Sequence, residues 1–129
     1  METIRARLIE TIDRAPGTRS FRLLPEKHID FLPGQFLQVI FDPGNKDLNK
    51  YLSFSSSPTK EYIEFTKRLS SSAFSEKLRS LKINVQVLLK APLGSCVFKE
   101  EYRKIAFLIG GIGITPVISI LEYIVERGL

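Results

Sequence analysis

The sequence predicts a mainly β protein: a six-stranded antiparallel barrel carrying one capping helix, followed by a strand, turn and helix that begin an α/β unit. Three observations carry this prediction. Short stretches with period-two alternation recur at regular spacing through residues 1–100. One stretch, Ser70 to Leu81, has helical spacing instead. Near the end, Lys104-Ile105-Ala106-Phe107-Leu108-Ile109 reads as a buried strand that feeds directly into Gly110-Gly111-Ile112-Gly113-Ile114-Thr115-Pro116. At 129 residues, 43% of them hydrophobic and 26% charged, the chain can bury one sizeable core. The expected division is a barrel over 1–100 and an incomplete second unit over 101–129.

Thr3 to Ile12 alternates Ile4, Ala6 and Leu8 against Thr3, Arg5 and Arg7, the period of a strand with one wet face. Ala15-Pro16-Gly17-Thr18 has turn chemistry, and Arg19 to Leu24 returns with Phe21 and Leu23 opposite Ser20 and Arg22, which makes a hairpin. Pro25 closes it. The next loop holds His28, which has no Cys, His or carboxylate pair at metal-ligand spacing and is assigned to the surface; no metal site is predicted. Gln35 to Phe41 is apolar on both faces and is placed deep in the sheet. Asp42 to Asp47 is a turn by composition. A strand follows at Lys50 to Phe54, and Pro58-Thr59-Lys60-Glu61 turns the chain into Tyr62 to Leu69, with Ile63 and Phe65 opposite Glu64 and Thr66.

In the helical stretch, Phe74, Leu78 and Leu81 recur at helical spacing and can plug one end of the barrel, while the serines upstream suit capping. Asn84 to Lys90 restores alternation through Val85, Val87 and Leu89. Ala91-Pro92-Leu93-Gly94 is expected to turn before a last short strand, Ser95 to Phe98. Cys96 falls on that strand with no cationic neighbour in sequence and reads as a packed thiol.

Composition narrows the function. The net charge of +5 comes from Lys and Arg interleaved with 14 acids, without a dense basic run, so nucleic acid is not an expected partner. A single cysteine excludes an internal disulfide and fits a reducing compartment. With no leader-like start and no apolar run long enough to span a bilayer, a cytoplasmic location is expected. The absence of a Ser/His/Asp set or paired carboxylates counts against a hydrolase.

Two stretches offer ligand chemistry. Lys50-Tyr51-Leu52-Ser53-Phe54-Ser55-Ser56-Ser57-Pro58 combines a positive charge, an apolar wall and several hydroxyls, a surface suited to a flat, partly charged ligand. The glycine turn lets backbone approach a ligand closely; Thr115 suits an N-cap and Pro116 the first helical position, so free N–H groups and the helix dipole would face an anion. The alternatives are a strand ending in a Ser-rich turn and a tight strand-to-helix connection.

In this order the two stretches resemble the ferredoxin-NADP reductase superfamily. Its flavin motif runs Arg-x-Tyr-Ser followed by small residues, and its nicotinamide domain opens with Gly-Gly-x-Gly-(Ile/Val)-(Thr/Ala)-Pro. Phe31-Leu32-Pro33-Gly34-Gln35-Phe36 is similar to the Pro-Gly-Gln-Phe segment that precedes the flavin motif, and Ala91 to Phe98 resembles a Gly-Pro-x-Gly-x-Phe closure with Ala91 in place of the first glycine. The resemblance implies a Greek-key barrel that binds flavin, followed by the start of an NAD(P)-binding domain.

What it implies for individual residues follows the motif. Lys50 occupies the arginine position, keeping the charge for a pyrophosphate oxygen but losing the bidentate fork. Leu52 replaces the tyrosine that packs on the isoalloxazine. Ser53 would lie near flavin N5, the atom that accepts hydride, and is the catalytic candidate. Lys67 is a second diphosphate candidate. Ser72-Ala73-Phe74-Ser75 matches a Gly-x-x-Ser pattern with serine for glycine, which puts Ser72, Phe74 and Ser75 at the flavin pyrophosphate. Gly110, Gly111, Gly113, Thr115 and Pro116 would face NAD(P). The loop over 42–47, which lies near the cofactor's adenine end in the superfamily, offers no aromatic here.

The implied function is the flavin-binding part of an NAD(P)H-dependent oxidoreductase or electron-transfer subunit, passing hydride from NAD(P)H to flavin and electrons to a protein or small-molecule acceptor. FAD is expected ahead of FMN. The alternative is a non-catalytic barrel that has lost the cofactor and serves as an interaction module. One strand and one helix do not complete a nicotinamide domain, so the chain is read as a piece of a longer reductase or as one completed by another chain. Val117, Ile118, Leu121, Ile124 and Val125 make a wide apolar helix face. Leaving it in water would forfeit roughly 1.5 to 3 kcal/mol per large side chain, so the tail is expected to bury itself on the barrel or pair with another copy, as a homodimer or swapped tail.

Overall fold

The computed structural model describes residues 3–95, 97–104, 106 and 114–129. Six strands run in chain order: β1 (Thr3–Ala15), β2 (Thr18–Pro25), β3 (Phe36–Ile40), β4 (Asn49–Ser53), β5 (Ile63–Arg68) and β6 (Gln86–Leu93). Helix α1 (Ala73–Arg79) interrupts them and α2 (Thr115–Arg127) follows. The strands form one sheet in the order β4-β3-β6-β1-β2-β5, and every neighbouring pair is antiparallel. Just beyond β4 a bridge joins Phe54 to Phe65 of β5, so the two edges of the sheet meet as in a barrel.

The alternation read from β1 holds: Ile4, Ala6 and Leu8 are buried while Thr3, Arg5 and Arg7 are exposed. Leu23, Leu37, Val39 and Leu89 from three strands meet Phe21, Phe54 and Phe65 in the core. Helix α1 closes one end through Phe74 and Leu78, both fully buried, with Leu81 packed on the same core. Its N-cap is Ser72, whose Oγ accepts a hydrogen bond from the Ser75 N–H at 3.1 Å. His28 is exposed and bonds Asp30 at 2.9 Å, consistent with a surface role.

Three expectations are corrected. Residues 91–93 do not turn but continue β6, because Leu93 pairs with Phe36 across a register shift in β3, and Ser95, Val97 and Phe98 lie in no strand. Val85 precedes β6 and is exposed rather than in alternation with Val87 and Leu89. In β5, Glu64 and Thr66 are buried like Ile63 and Phe65, because that face too is covered. Cys96 and most of the strand expected over 104–109 lie outside the described residues; Lys104 and Ala106 are exposed.

The tail does dock on the barrel, but only part of the expected apolar face is covered: Val117 is buried and Ile124 half-buried. Thr115, Val117 and Ser119 are its buried residues, whereas Ile118, Leu121 and Val125 are exposed, Val125 at 78%. The barrel surface beneath is polar, and α2 meets it with polar groups. Ser119 Oγ donates to the Ser56 carbonyl at 2.7 Å, the Ser57 N–H donates to Glu122 at 2.7 Å, and Lys60 pairs with Glu126 at 2.6 Å. Among the described residues no helix is long and apolar enough to cross a membrane.

Candidate functional site

The stretch nominated from the sequence divides at Phe54. In β4, Ser53 lies opposite Phe36 and Leu52 opposite Leu37. Leu52 turns toward the core cluster, as does Phe54, so Tyr51 and Ser53 take the outer face. Tyr51 is 65% exposed, its ring edge-on to Phe36 with centroids 5.8 Å apart. Together with Leu52, Leu93 and Gly94 these side chains line an open, mostly apolar groove of about 620 Å³.

Two local devices shape the groove. Gly94 has φ +96°, and a Cβ there would sit 2.5 Å from the Phe36 ring, so only glycine fits both the conformation and the space. Gln35 pins the loops that flank it: its side-chain carbonyl accepts from the Leu32 N–H at 2.8 Å and its amide donates to the Gly94 carbonyl at 2.9 Å. The Pro-Gly-Gln-Phe segment therefore holds together the two loops that bear the groove.

The two nominated lysines come together. Lys50 on β4 and Lys67 on β5 are close enough to interact, and the Lys67 ammonium is pushed below its ordinary value by burial first, then by the positive fields of Lys50 and Arg68. Lys67 donates to the Arg68 carbonyl at 2.7 Å. Neither lysine has a carboxylate partner within ion-pair distance among the described residues, so their charges remain available to an anion.

The α1 side chains are committed to structure. Phe74 is fully buried against Phe41 at a centroid distance of 5.3 Å. Ser75 is fully buried, and its Oγ accepts from the Ser70 N–H at 3.0 Å. What this turn can offer a phosphate is backbone N–H rather than these side chains. Thr115 is the first residue of α2, not its cap; the N-cap position is Ile114, without a side-chain cap bond. Pro116 sits in the first turn, where its missing N–H costs nothing. Gly110, Gly111 and Gly113 lie outside the described residues.

The three serines after Phe54 are not a ligand surface: Ser55, Ser56 and Ser57 are all buried. Ser55 Oγ donates to Glu64 at 2.7 Å, Ser56 Oγ accepts from the Glu64 N–H at 3.0 Å, and Ser57 shares a hydrogen bond of 2.8 Å with Thr59. Glu64, only 4% exposed, takes salt bridges from Arg14 at 3.1 Å and Arg22 at 3.0 Å. Burial works to lower the Arg22 pKa, but its hydrogen bond to Glu64 and the neighbouring negative charges raise it overall.

Sequence reasoning missed Tyr51 and Glu64. Tyr51 was legible as the residue out of phase with Leu52, hence on the same face as Ser53. In the sequence Glu64 is only the residue opposite Ile63 and Phe65, and the serines and arginines brought to it by the fold show that it is buried and paired.

A curled antiparallel sheet with an apolar groove beside Ser53 and paired lysines on the adjoining edge strands defines a barrel domain of the flavin-dependent reductase type. The chain belongs to the oxidoreductase FAD-binding domain family, whose model matches residues 5–98, and thus to the ferredoxin-NADP reductase superfamily that its motifs resemble. It is 34% identical over 117 residues to the 2-halobenzoate 1,2-dioxygenase electron transfer component of Burkholderia cepacia, covering 87% of this chain and 34% of that protein. The toluate 1,2-dioxygenase electron transfer component of Pseudomonas putida is 36% identical over 100 residues, covering 76% and 29% respectively. The FAD/NAD-binding domain of nitric oxide dioxygenase from Vibrio cholerae O1 biovar El Tor has the same fold, with a TM-score of 0.83 at 20% identity over 96% of this chain and 57% of that one. The chain spans about a third of the length of the relatives it matches.

Proposed function

We propose that this chain is the flavin-binding part of an NAD(P)H-dependent oxidoreductase or electron-transfer subunit. Residues 1–100 form the flavin domain and 101–129 begin the nicotinamide domain. The observation that supports this reading is an apolar groove at Tyr51 and Ser53 on a strand, β4, that also carries Lys50, which interacts with Lys67 of β5, neither lysine having a carboxylate partner among the described residues. The donor set suits FAD: the groove takes a flat ring and the lysines take a diphosphate, which FMN lacks. A bound flavin supplies the hydride and electron chemistry.

The chain's own residues bind and orient. Lys50 and Lys67 neutralise the diphosphate, Leu52 and Tyr51 give the ring an apolar contact, and Ser53 offers its hydroxyl to N5. The backbone N–H of Phe74 helps to hold the pyrophosphate, while Ser72 and Ser75, whose N–H groups bond Ser70 and Ser72, fix the turn that presents it. Gly110, Gly111, Gly113, Thr115 and Pro116 serve NAD(P)H once the nicotinamide domain is complete. The acceptor is an oxygenase component or comparable electron acceptor, as the names of the dioxygenase relatives suggest.

A fluorescence titration tests the reading. FAD should bind more tightly than FMN, and Lys67→Ala should narrow that difference, since only FAD presents a diphosphate. Equal affinities for both flavins, unchanged in the variant, would remove the lysines from the site.

A further inference from the structure

The segment that follows Ser53 is held from two sides. Phe54 is fully buried, stacked on Phe31 with ring centroids 3.8 Å apart, and it bridges to Phe65. The barrel also takes the next residue, whose Ser55 N–H donates to the Glu64 carbonyl at 2.8 Å. The backbone groups after that are taken by α2 instead. The Ser56 carbonyl accepts from Ser119 Oγ at 2.7 Å, and the Ser57 N–H donates to the Glu122 carboxylate at 2.7 Å. Ser56, Ser57 and Ser119 are all buried, so these bonds are shielded from water.

A buried carbonyl or N–H must find a partner, and among the described residues only α2 supplies partners for these two. The barrel therefore does not complete this segment by itself. The other polar contacts of the helix lie elsewhere: Glu126 bonds the Thr59 hydroxyl and pairs with Lys60 at 2.6 Å, and Tyr123 donates to Glu100 at 2.9 Å. They fasten α2 without touching the backbone of 56 and 57. Ser119 and Glu122 alone join the helix to the backbone that runs directly into β4.

We infer that Ser119 and Glu122 are positioning residues for the groove at Ser53. By completing the backbone bonds of Ser56 and Ser57 they hold the end of β4, and Ser53 with it, in the geometry that receives the flavin. Seating of α2 and occupancy of the groove are then linked, and each strengthens the other by the same factor. Because α2 belongs to the unit that the proposed function gives to NAD(P)H, the linkage carries the state of that unit to the flavin. The inference rests on that reading in one respect, that Ser53 belongs to the flavin site; the hold of α2 on the segment does not depend on it.

Amide exchange and backbone NMR on the full 129-residue chain, with and without FAD, test it. Saturating FAD should raise the protection of the Ser57 amide and of α2 about fivefold or more, the lower end of ordinary coupling between sites. Glu122→Ala should erase that gain, weaken FAD binding by the same factor and shift the Ser53 amide resonance in the flavin-free chain; Ser119→Ala should act in the same direction by a smaller factor. Glu122→Gln keeps an acceptor for the Ser57 N–H and should restore most of the coupling. Lys60→Met loosens α2 at its far end and should leave the Ser53 resonance and the FAD affinity unchanged, which separates positioning from a general loss of docking. The inference is overturned if FAD binds without changing α2 protection, if Glu122→Ala binds FAD as tightly as the native chain, or if Glu122→Ala leaves the Ser53 resonance in place. A native chain that binds no FAD would sink the flavin reading instead, and the Ser53 resonance of the flavin-free chains would still decide whether α2 positions Ser53: a shift in Glu122→Ala that Glu122→Gln reverses upholds it, and no shift overturns it.

Discussion

Lys50 to Ser53 and Ser55 to Ser57 lie almost side by side in the chain and both offer serine hydroxyls, yet the fold gives them opposite fates. The first segment is an outward face: an exposed tyrosine, a serine in an open groove and a lysine without a counter-ion among the described residues. The second is sealed under α2, and every hydroxyl in it is bonded. The difference originates across the strand pair, where Glu64 sits opposite the serines and a buried carboxylate must collect donors. A hydroxyl available to a ligand is therefore one that no buried charge has claimed.

The largest effect should come from breaking the sealed side. Glu64→Ala leaves Arg14 and Arg22 facing a cavity without their anion and removes the Ser55 bond to it, leaving Ser55 only Thr66, and should cost about 3 kcal/mol in denaturant unfolding, at the low end for a buried pair because both arginines retain water. On the open side, Lys50→Ala should leave unfolding unchanged and weaken flavin binding by about 1.5 to 3 kcal/mol, read by titration. Unchanged affinity would remove Lys50 from the site. Gly94→Ala joins the two kinds of effect: displacing the Phe36 ring should lower stability by about 1 to 3 kcal/mol and distort the groove, visible in the melting temperature and in flavin affinity together. Tyr51→Ala should weaken flavin by about 1 kcal/mol, the scale of an aromatic contact, without touching stability.

The smallest effect concerns pH. Hydrogen bonds from Lys60 and then Thr59 hold the Glu126 carboxyl below its ordinary range, and the bond to Glu126 outweighs burial to raise Lys60. The Glu126 contribution is present above the unfolded carboxylate range and is lost as pH falls through its depressed folded value. The Lys60 contribution is present below the unfolded lysine value and is lost as pH rises through its elevated folded value. Docking of α2 should thus be firmest between those limits. Amide protection factors along α2, corrected for intrinsic exchange, should fall at both extremes, and Lys60→Met should flatten the profile.

Much of the fold was legible because period-two alternation depends on one apolar core, as Ile4, Ala6 and Leu8 show. The helix cap at Ser72 and the plug of Phe74 and Leu78 were equally local. Where the reading failed, a long-range contact decided. Leu93 stays in strand because Phe36 pairs with it, and Glu64 is buried because Arg14, Arg22 and Ser55 arrive from distant positions. For α2 the apolar periodicity found Val117, which is buried, but not Ser119, Glu122 and Glu126, because periodicity says which side is greasy and the loop that these three meet is polar. At the site, the motif located Lys50 and Ser53, whereas the aromatic ring beside Ser53 belongs to Tyr51, one residue before the Leu52 that the motif singles out.

The most direct test of the flavin assignment is the visible absorption spectrum of the folded chain after addition of FAD and desalting. Retained flavin bands, diminished in Lys50→Ala, are the predicted result. A folded but colourless native protein would contradict the assignment and favour a barrel that serves as an interaction module.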